Sequence, residues 1–281
     1  MDIALDHVDY DYPGGIKVLD GVDLTIGAGE SVAIIGANGS GKTTLVRHLN
    51  GLLRPTRGRV LIDGGDAIGR HVAELARVVG LCFQDPDRQI FSGDVRAEVE
   101  FGLRQLGVPE EDRTARIKAA LEAVALDDAM GRHPHDLGEA RRKLLTIASV
   151  LAMETPIVVL DEPTVGLDIR GVERIAGIVG GLRDAGRTVL VISHDMRLVA
   201  ESFERVVLLD AGRIVIDGPP REVYAEPAWT VLRAAGLEPP RAAVMGAEMG
   251  LGSTPTERSL LAAAKGRRGR TAPETGRPDG A

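Results

Sequence analysis

Residues 2–35 alternate apolar and polar positions and are interrupted at Pro13-Gly14-Gly15 and Gly27-Ala28-Gly29. A period of two bounded by glycine and proline predicts short antiparallel strands. The pattern then changes to a continuous apolar run, Ser31-Val32-Ala33-Ile34-Ile35, as a strand buried on both faces requires. Thr44-Leu45-Val46-Arg47-His48-Leu49 opens a helix that ends near Asn50-Gly51, and Arg59–Gly64 reads as a strand and turn. Val78–Phe83 is a second buried strand running into Gln84-Asp85-Pro86. Residues 95–153 take up the helical period in three segments, Val95–Leu106, Pro109–Val124 and Leu144–Met153, predicting an all-helical subdomain. Two more buried strands follow, Pro156–Pro163 and Thr188–Asp195, and then a closing hairpin over Val206–Asp217. Residues 221–245 predict short helices. From about Gly246 the chain is rich in Gly, Pro, Thr, Arg and Ala, which predicts a poorly ordered tail with a short helix over Leu260–Lys265.

Strands alternating with helices give a parallel sheet with crossovers, and such sheets bind ligands at the carboxyl ends of their strands. One strand end carries Gly36-Ala37-Asn38-Gly39-Ser40-Gly41-Lys42-Thr43 and leads directly into a helix that begins with Thr44. Strand, G-x-x-x-x-G-K-T, helix is the P-loop in its required context, which separates it from an incidental glycine turn. Glycines open backbone conformations that let consecutive N–H groups face one anion, and the helix N-terminus adds partial positive charge there. Lys42 supplies a full charge for the outer phosphates, and the Thr43 hydroxyl suits Mg²⁺.

The other strand ends carry Gln84, the pair Asp161-Glu162, and His194. Asp161 stands where a carboxylate holds the Mg²⁺ shell, Gln84 can complete that shell, and Glu162 can polarise a water attacking the γ-phosphate. His194 can hydrogen-bond that phosphate, although a lone strand-end histidine is more often structural. Asp168 lies on the loop beyond the carboxylates, where it could touch a second subunit. Tyr12, at the lip of the Pro13 turn, reads equally as a surface aromatic or as a cover for a purine.

Composition narrows the class. The 281-residue chain is 44% hydrophobic, enough for a sizeable core, and its net charge of −7 argues against broad nucleic-acid coating. A single cysteine, Cys82, excludes an internal disulfide and reads as a small buried hydrophobe. No signal pattern and no apolar run near eighteen residues is present, so the chain is expected not to cross a membrane by itself. The basic cluster Lys265–Arg270 fits a solvated tail better than a lipid contact.

Taken together, these motifs resemble the ATP-binding cassette (ABC) ATPases over residues 1–235: GANGSGKT at 36–43, Gln84, IVVLDEP at 157–163, GLD at 166–168 and SHD at 193–195. Within that family, Phe83–Phe91, Val150–Glu154 and Gly236–Pro240 are most similar to the ATPase subunits of energy-coupling factor transporters, including the cobalt-uptake type. The resemblance implies an α/β P-loop fold with a mixed RecA-like core sheet, an N-terminal antiparallel β subdomain, and a helical subdomain at 95–153. Residues 236–281 would form a C-terminal extension. Tyr12 matches the adenine-stacking position. The implied cofactors are ATP and Mg²⁺. The implied partners are a second cassette, a transmembrane coupling protein and a membrane protein that captures a vitamin or metal ion, with no nucleic acid. The chain would sit peripherally on the cytoplasmic face of the plasma membrane.

One departure stands out. The family's LSGGQ signature, which reaches a partner's γ-phosphate, aligns with Leu137-Gly138-Glu139-Ala140-Arg141. The serine donor is absent, and Glu139 brings negative charge, worth up to about 4 kcal/mol of repulsion near a phosphate, which Arg141 could partly offset. A heterodimer whose partner carries an intact signature is therefore expected. A non-hydrolysing regulatory nucleotide binder is the alternative, with a soluble ABC ATPase acting on nucleic acid or ribosomes as a further rival. The latter would usually carry two cassettes or a long coiled coil, and neither is seen.

Overall fold

The computed structural model describes residues 1–270, with side chains through Arg267. The expected alternating strands form a long antiparallel pair, β1 (Ile3–Tyr12) and β2 (Ile16–Ile26), joined at the Pro13 turn. β3 (Ser31–Ile35) leads into α1 (Lys42–Leu49). β4 (Arg57–Ile62) and the two-residue β5 (Gly65–Asp66) join β1 and β2 in a four-stranded antiparallel sheet, in the order β2-β1-β4-β5. After the short α2 (Val72–Leu75) comes β6 (Val79–Cys82), followed by the helical block of α3 (Val95–Leu106), α4 (Glu110–Ala123) and α5 (Glu139–Met153). β7 (Ile157–Asp161), α6 (Ile169–Asp184), β8 (Thr188–Ile192), α7 (Met196–Ser202) and the hairpin β9 (Arg205–Asp210) and β10 (Arg213–Gly218) complete the core. Its sheet runs β10-β9-β3-β8-β7-β6. The five strands from β9 to β6 are parallel, and β10 is antiparallel at the edge.

The continuous apolar strands follow from this layering. Successive side chains of one strand point to opposite faces. Val32, Ile34, Val159 and Ile192 pack toward the antiparallel sheet and α1, whereas Ala33, Ile35, Leu160 and Val191 pack toward the helices. All eight are fully buried, and full burial of a Val, Leu or Ile stabilises by roughly 1.5–3 kcal/mol each. Cys82 is buried as expected, its Sγ 3.2 Å from Thr146 Oγ1, and burial pushes its thiol pKa up.

Two expectations are corrected. The third helix begins at Glu139, not Leu144, because its polar first residues belong to the helix and one of them, Lys143, is buried. The unstructured tail expected from about residue 246 is not seen through residue 270. After α8 (Pro220–Val223), α9 (Trp229–Ala234) and α10 (Arg241–Glu248), the chain forms α11 (Glu257–Arg270), which contains the expected Leu260–Lys265 helix. Thr254, between the last two helices, is buried and donates to Ala242 O at 2.7 Å, fixing that segment against α10. The remainder of the tail lies outside the described residues. No described helix is long and apolar enough to cross a membrane.

Candidate functional site: a nucleotide cleft at the strand ends

Parallel pairing of β3, β6, β7 and β8 brings their carboxyl ends to one rim. A cleft of about 410 Å³ there is lined by Tyr12, Asn38, Gly39, Gly41, Lys42, Thr43, Thr44, Gln84, Asp161, Glu162 and His194, with Val18 and Ile192 as apolar walls. A larger cleft of about 570 Å³ between α4, α5 and α6 is mainly apolar and holds none of these residues, so size does not select the site.

The glycine loop sits against β9, the turn that follows it and β2. At Gly36, with φ +153°, an added Cβ would stand 2.1 Å from Leu209 O, so only glycine fits. Gly41, with φ +107°, caps α1 where a Cβ would meet Val18 O at 2.9 Å. Gly36, Ala37 and Ser40, also expected at the phosphates, are not among the residues that line the cleft. Ser40 is buried, and its Oγ has no hydrogen-bond partner. Lys42 is 6% exposed and donates to Gly36 O and Ala37 O, each at 2.7 Å. Burial lowers its pKa, opposed by the nearby Glu162 and Asp161. No acidic residue occupies the first turn of α1, so its N-terminus keeps its positive end.

Opposite the loop, Thr43 Oγ1 donates to Asp161 Oδ2 at 2.8 Å, joining α1 to β7. Asp161 lines the cleft, and its Oδ1 is a buried acceptor without a hydrogen-bond partner, as an unfilled cation ligand would be. Burial raises the Asp161 pKa, and a bound cation would reverse that. No group of three His, Cys, Asp or Glu side chains fit to hold a metal occurs among the described residues. A cation here would need the threonine hydroxyl, the Gln84 amide and phosphate oxygens beside Asp161. The residues present fit Mg²⁺ on those terms.

Glu162 is 4% exposed and holds a left-handed φ of 50°. Its N–H donates to Ile192 O at 2.9 Å, and its Oε2 accepts from the His194 N–H at 3.3 Å. His194 Nε2 stands 3.1 Å from Glu162 Oε1, although that oxygen has no partner of hydrogen-bonding geometry. Burial pushes the Glu162 carboxyl up to about 7, against the lowering effects of the His194 N–H and Lys42. Burial, then Lys42, lowers the His194 pKa, which favours the neutral ring. A carboxyl near neutrality in a cleft suits a proton acceptor.

Tyr12 lines the cleft: its OH lies 3.2 Å from Thr44 Oγ1, and its ring meets Tyr10 edge-on at 4.9 Å. Asp168 is the N-cap of α6, accepting from the Gly171 N–H at 2.8 Å. The expected offset from Arg141 is not available in this arrangement, because its guanidinium is bonded to Asp128.

Lys143 escaped the motif reading. It is 2% exposed and donates to Phe83 O at 2.8 Å, Gln84 O at 2.7 Å and Asp161 O at 3.1 Å. The available signal was phase: Lys143 shares the α5 face of Thr146, Ile147 and Val150, all buried.

A glycine loop and helix N-terminus facing acidic strand ends across a parallel sheet define a P-loop nucleotide-binding protein. More narrowly, the chain belongs to the ABC transporter family, whose model matches residues 19–165. It is 43% identical over 238 residues to an ABC transporter ATP-binding protein of Methanosarcina acetivorans, covering 85% of this chain but 38% of that one. The chain thus spans about two fifths of the length of that curated relative. It is 40% identical over 243 residues to the energy-coupling factor transporter ATP-binding protein EcfA of Methanothermobacter thermautotrophicus, covering 86% of this chain and 78% of that one. Among solved structures, cbiO1 of Clostridium perfringens, described as part of the ABC transporter complex cbiONQ, superposes with a TM-score of 0.73 at 33% identity, covering 88% and 98% of the two chains.

Proposed function

We propose that the chain is the ATP-hydrolysing subunit of an importer of the energy-coupling factor type, which powers uptake of a vitamin or transition-metal ion. The observation that carries the reading is the convergence of Lys42, the Thr43–Asp161 pair, and Glu162 with His194 in one cleft. In this reading the 36–44 loop and the α1 N-terminus bind the phosphates, Lys42 places charge on the outer two, and Tyr12 covers the base. Thr43, Gln84 and Asp161 would hold Mg²⁺, which when bound neutralises phosphate charge. Glu162 accepts a hydrogen bond from the attacking water and takes its proton as the water oxygen bonds to the γ-phosphorus and the bond from that phosphorus to the β–γ bridging oxygen breaks, the electron pair leaving with ADP. His194, held neutral, orients the terminal phosphate or that water. Similarity to EcfA and to cbiO1 of the cbiONQ complex supports a place beside membrane partners, a coupling protein and a substrate-capture protein, on the cytoplasmic face.

The partner cassette would differ from this one. Glu139 stands in the first turn of α5, and Arg141 is held by Asp128, so the Leu137–Arg141 segment opposes an incoming phosphate. We therefore favour a heterodimer whose other cassette supplies an intact signature to the Lys42 site. Purified chain should hydrolyse ATP slowly alone and briskly when mixed with such a cassette. Equal turnover by the isolated chain, abolished by Glu162→Gln, would overturn the asymmetry. The same Glu139 favours the alternative of a regulatory binder, for which single-turnover hydrolysis in the mixed dimer would be absent.

A further inference from the structure

We infer that Lys143 is a positioning residue for ATP hydrolysis, fixing the peptide that aims Glu162 and tying it to the Gln84 turn and the signature helix. The inference rests on the hydrolytic reading above and adds a residue outside the cleft lining. All three protons of its ammonium are committed to carbonyls: Phe83 and Gln84 beyond β6, and Asp161 at the end of β7.

The Asp161 carbonyl and the Glu162 N–H belong to one peptide unit. Lys143 holds its oxygen at 3.1 Å, and Ile192 O holds its hydrogen at 2.9 Å. That plane is pinned at both ends, immediately before the residue in a left-handed backbone conformation. Non-glycine residues adopt this conformation only where the surroundings over-determine it. The direction of the Glu162 side chain follows from that φ, so the clamp on Asp161 O sets where the carboxylate points.

The preceding residue extends the tie. Arg142 donates to Leu137 O at 2.8 Å, and its Nε lies 3.0 Å from Asp87 Oδ1. The start of α5 therefore grips the signature segment and the 83–87 turn, while Lys143 reaches from the same helix to the catalytic strand ends. A shift of the helical subdomain would reach Gln84 and Glu162 together through one ammonium.

Lys143→Met keeps the length of the stem without donors, and Lys143→Gln restores up to two donors with a shorter reach. In the assembly in which the wild-type chain hydrolyses ATP, Lys143→Met should lower kcat by ~10-fold or more, as loss of supporting-shell contacts does, with KM for ATP changed by less than about twofold. Lys143→Gln should recover part of kcat. Amide exchange should quicken at 83–88 and 161–163 while β3 and α1 keep their protection. Wild-type kcat in folded Lys143→Met, an equal loss of ATP affinity, or no gain in Lys143→Gln would overturn the inference. If Lys143→Met fails to fold, Lys143→Gln decides on the same kcat and KM criteria. A wild-type chain without hydrolysis would refute the functional reading instead, and the exchange pattern would then decide whether the clamp holds the Glu162 peptide.

Discussion

The two helices that the proposed function places against phosphate, α1 and α5, are furnished in opposite ways. α1 begins behind three glycines, with Lys42 at its first position and no acid in its first turn. α5 begins behind Gly138, which offers no side-chain cap, and carries Glu139 in its first turn. An acid at a helix N-terminus complements the macrodipole and stabilises the helix itself by about 0.3–1 kcal/mol. The same charge cancels the positive end that an anion would use. α1 leaves its N-terminus uncompensated and available; α5 satisfies its own internally. What the pair teaches is that two helix starts in one molecule can differ in whether the sequence leaves the positive end free for an anion.

The largest effect should come from Glu162→Gln, which removes the proposed proton acceptor while keeping size and polarity. Hydrolysis should fall by ~10²–10⁴-fold with ATP affinity retained, read by turnover and by binding of a fluorescent nucleotide. A variant that still turns over at the wild-type rate would remove the α1 side of the comparison.

Repair of the α5 side comes next. Gly138→Ser with Glu139→Gly should raise turnover of the chain on its own by ~10-fold or more, since like charge near a phosphate costs up to about 4 kcal/mol. No gain would mean that the α5 start does not face a phosphate.

The pH dependence sharpens the role of Glu162. Below about 7 its carboxyl keeps a proton and cannot accept another, so kcat/KM should drop up to tenfold per pH unit below that value and level off above it. The sign for stability is opposite. The folded pKa is raised above the ordinary 4.5, so the protonated folded state is favoured, and stability declines as pH rises from 4.5 through about 7. Glu162→Gln should therefore be the more stable protein at pH 8, by on the order of 3 kcal/mol in chemical denaturation, with the gap closing by pH 4. A gap that is constant with pH would refute the buried carboxyl as its source.

The last effect concerns the base and leaves the chemical step untouched. Tyr12→Ala should weaken ATP binding by roughly 5- to 160-fold, from loss of about 1–3 kcal/mol of stacking, whereas Tyr12→Phe should bind nearly normally despite losing its contact with Thr44. Equal loss in both would assign Tyr12 to the strand surface and the Thr44 contact, not to the purine.

The P-loop, the two carboxylates at the end of β7 and the histidine after β8 were legible in the residues themselves. Each follows an unbroken apolar strand, and a parallel sheet sends such strand ends to one rim whatever the details of packing. The helical block was legible from its period, as was the antiparallel start from its alternation. The start of α5 was not, because a charged helical turn looks like a loop until something is found to bury it. The tail misled for a related reason: its composition is that of a disordered segment, yet Thr254 and α11 are held by contacts with α10 that composition does not encode.

Sequence alone thus determined the chemistry on offer: which groups can hold phosphate, take a proton or ligate a cation, because those properties are local to each residue and its strand. Only the tertiary structure decided how they are aimed. Arg141 is turned to Asp128, Asp168 caps a helix, and Lys143 is buried against three carbonyls. The cause is the same in each: direction and protonation depend on neighbours far apart in the chain, which only the folded packing brings within hydrogen-bonding distance.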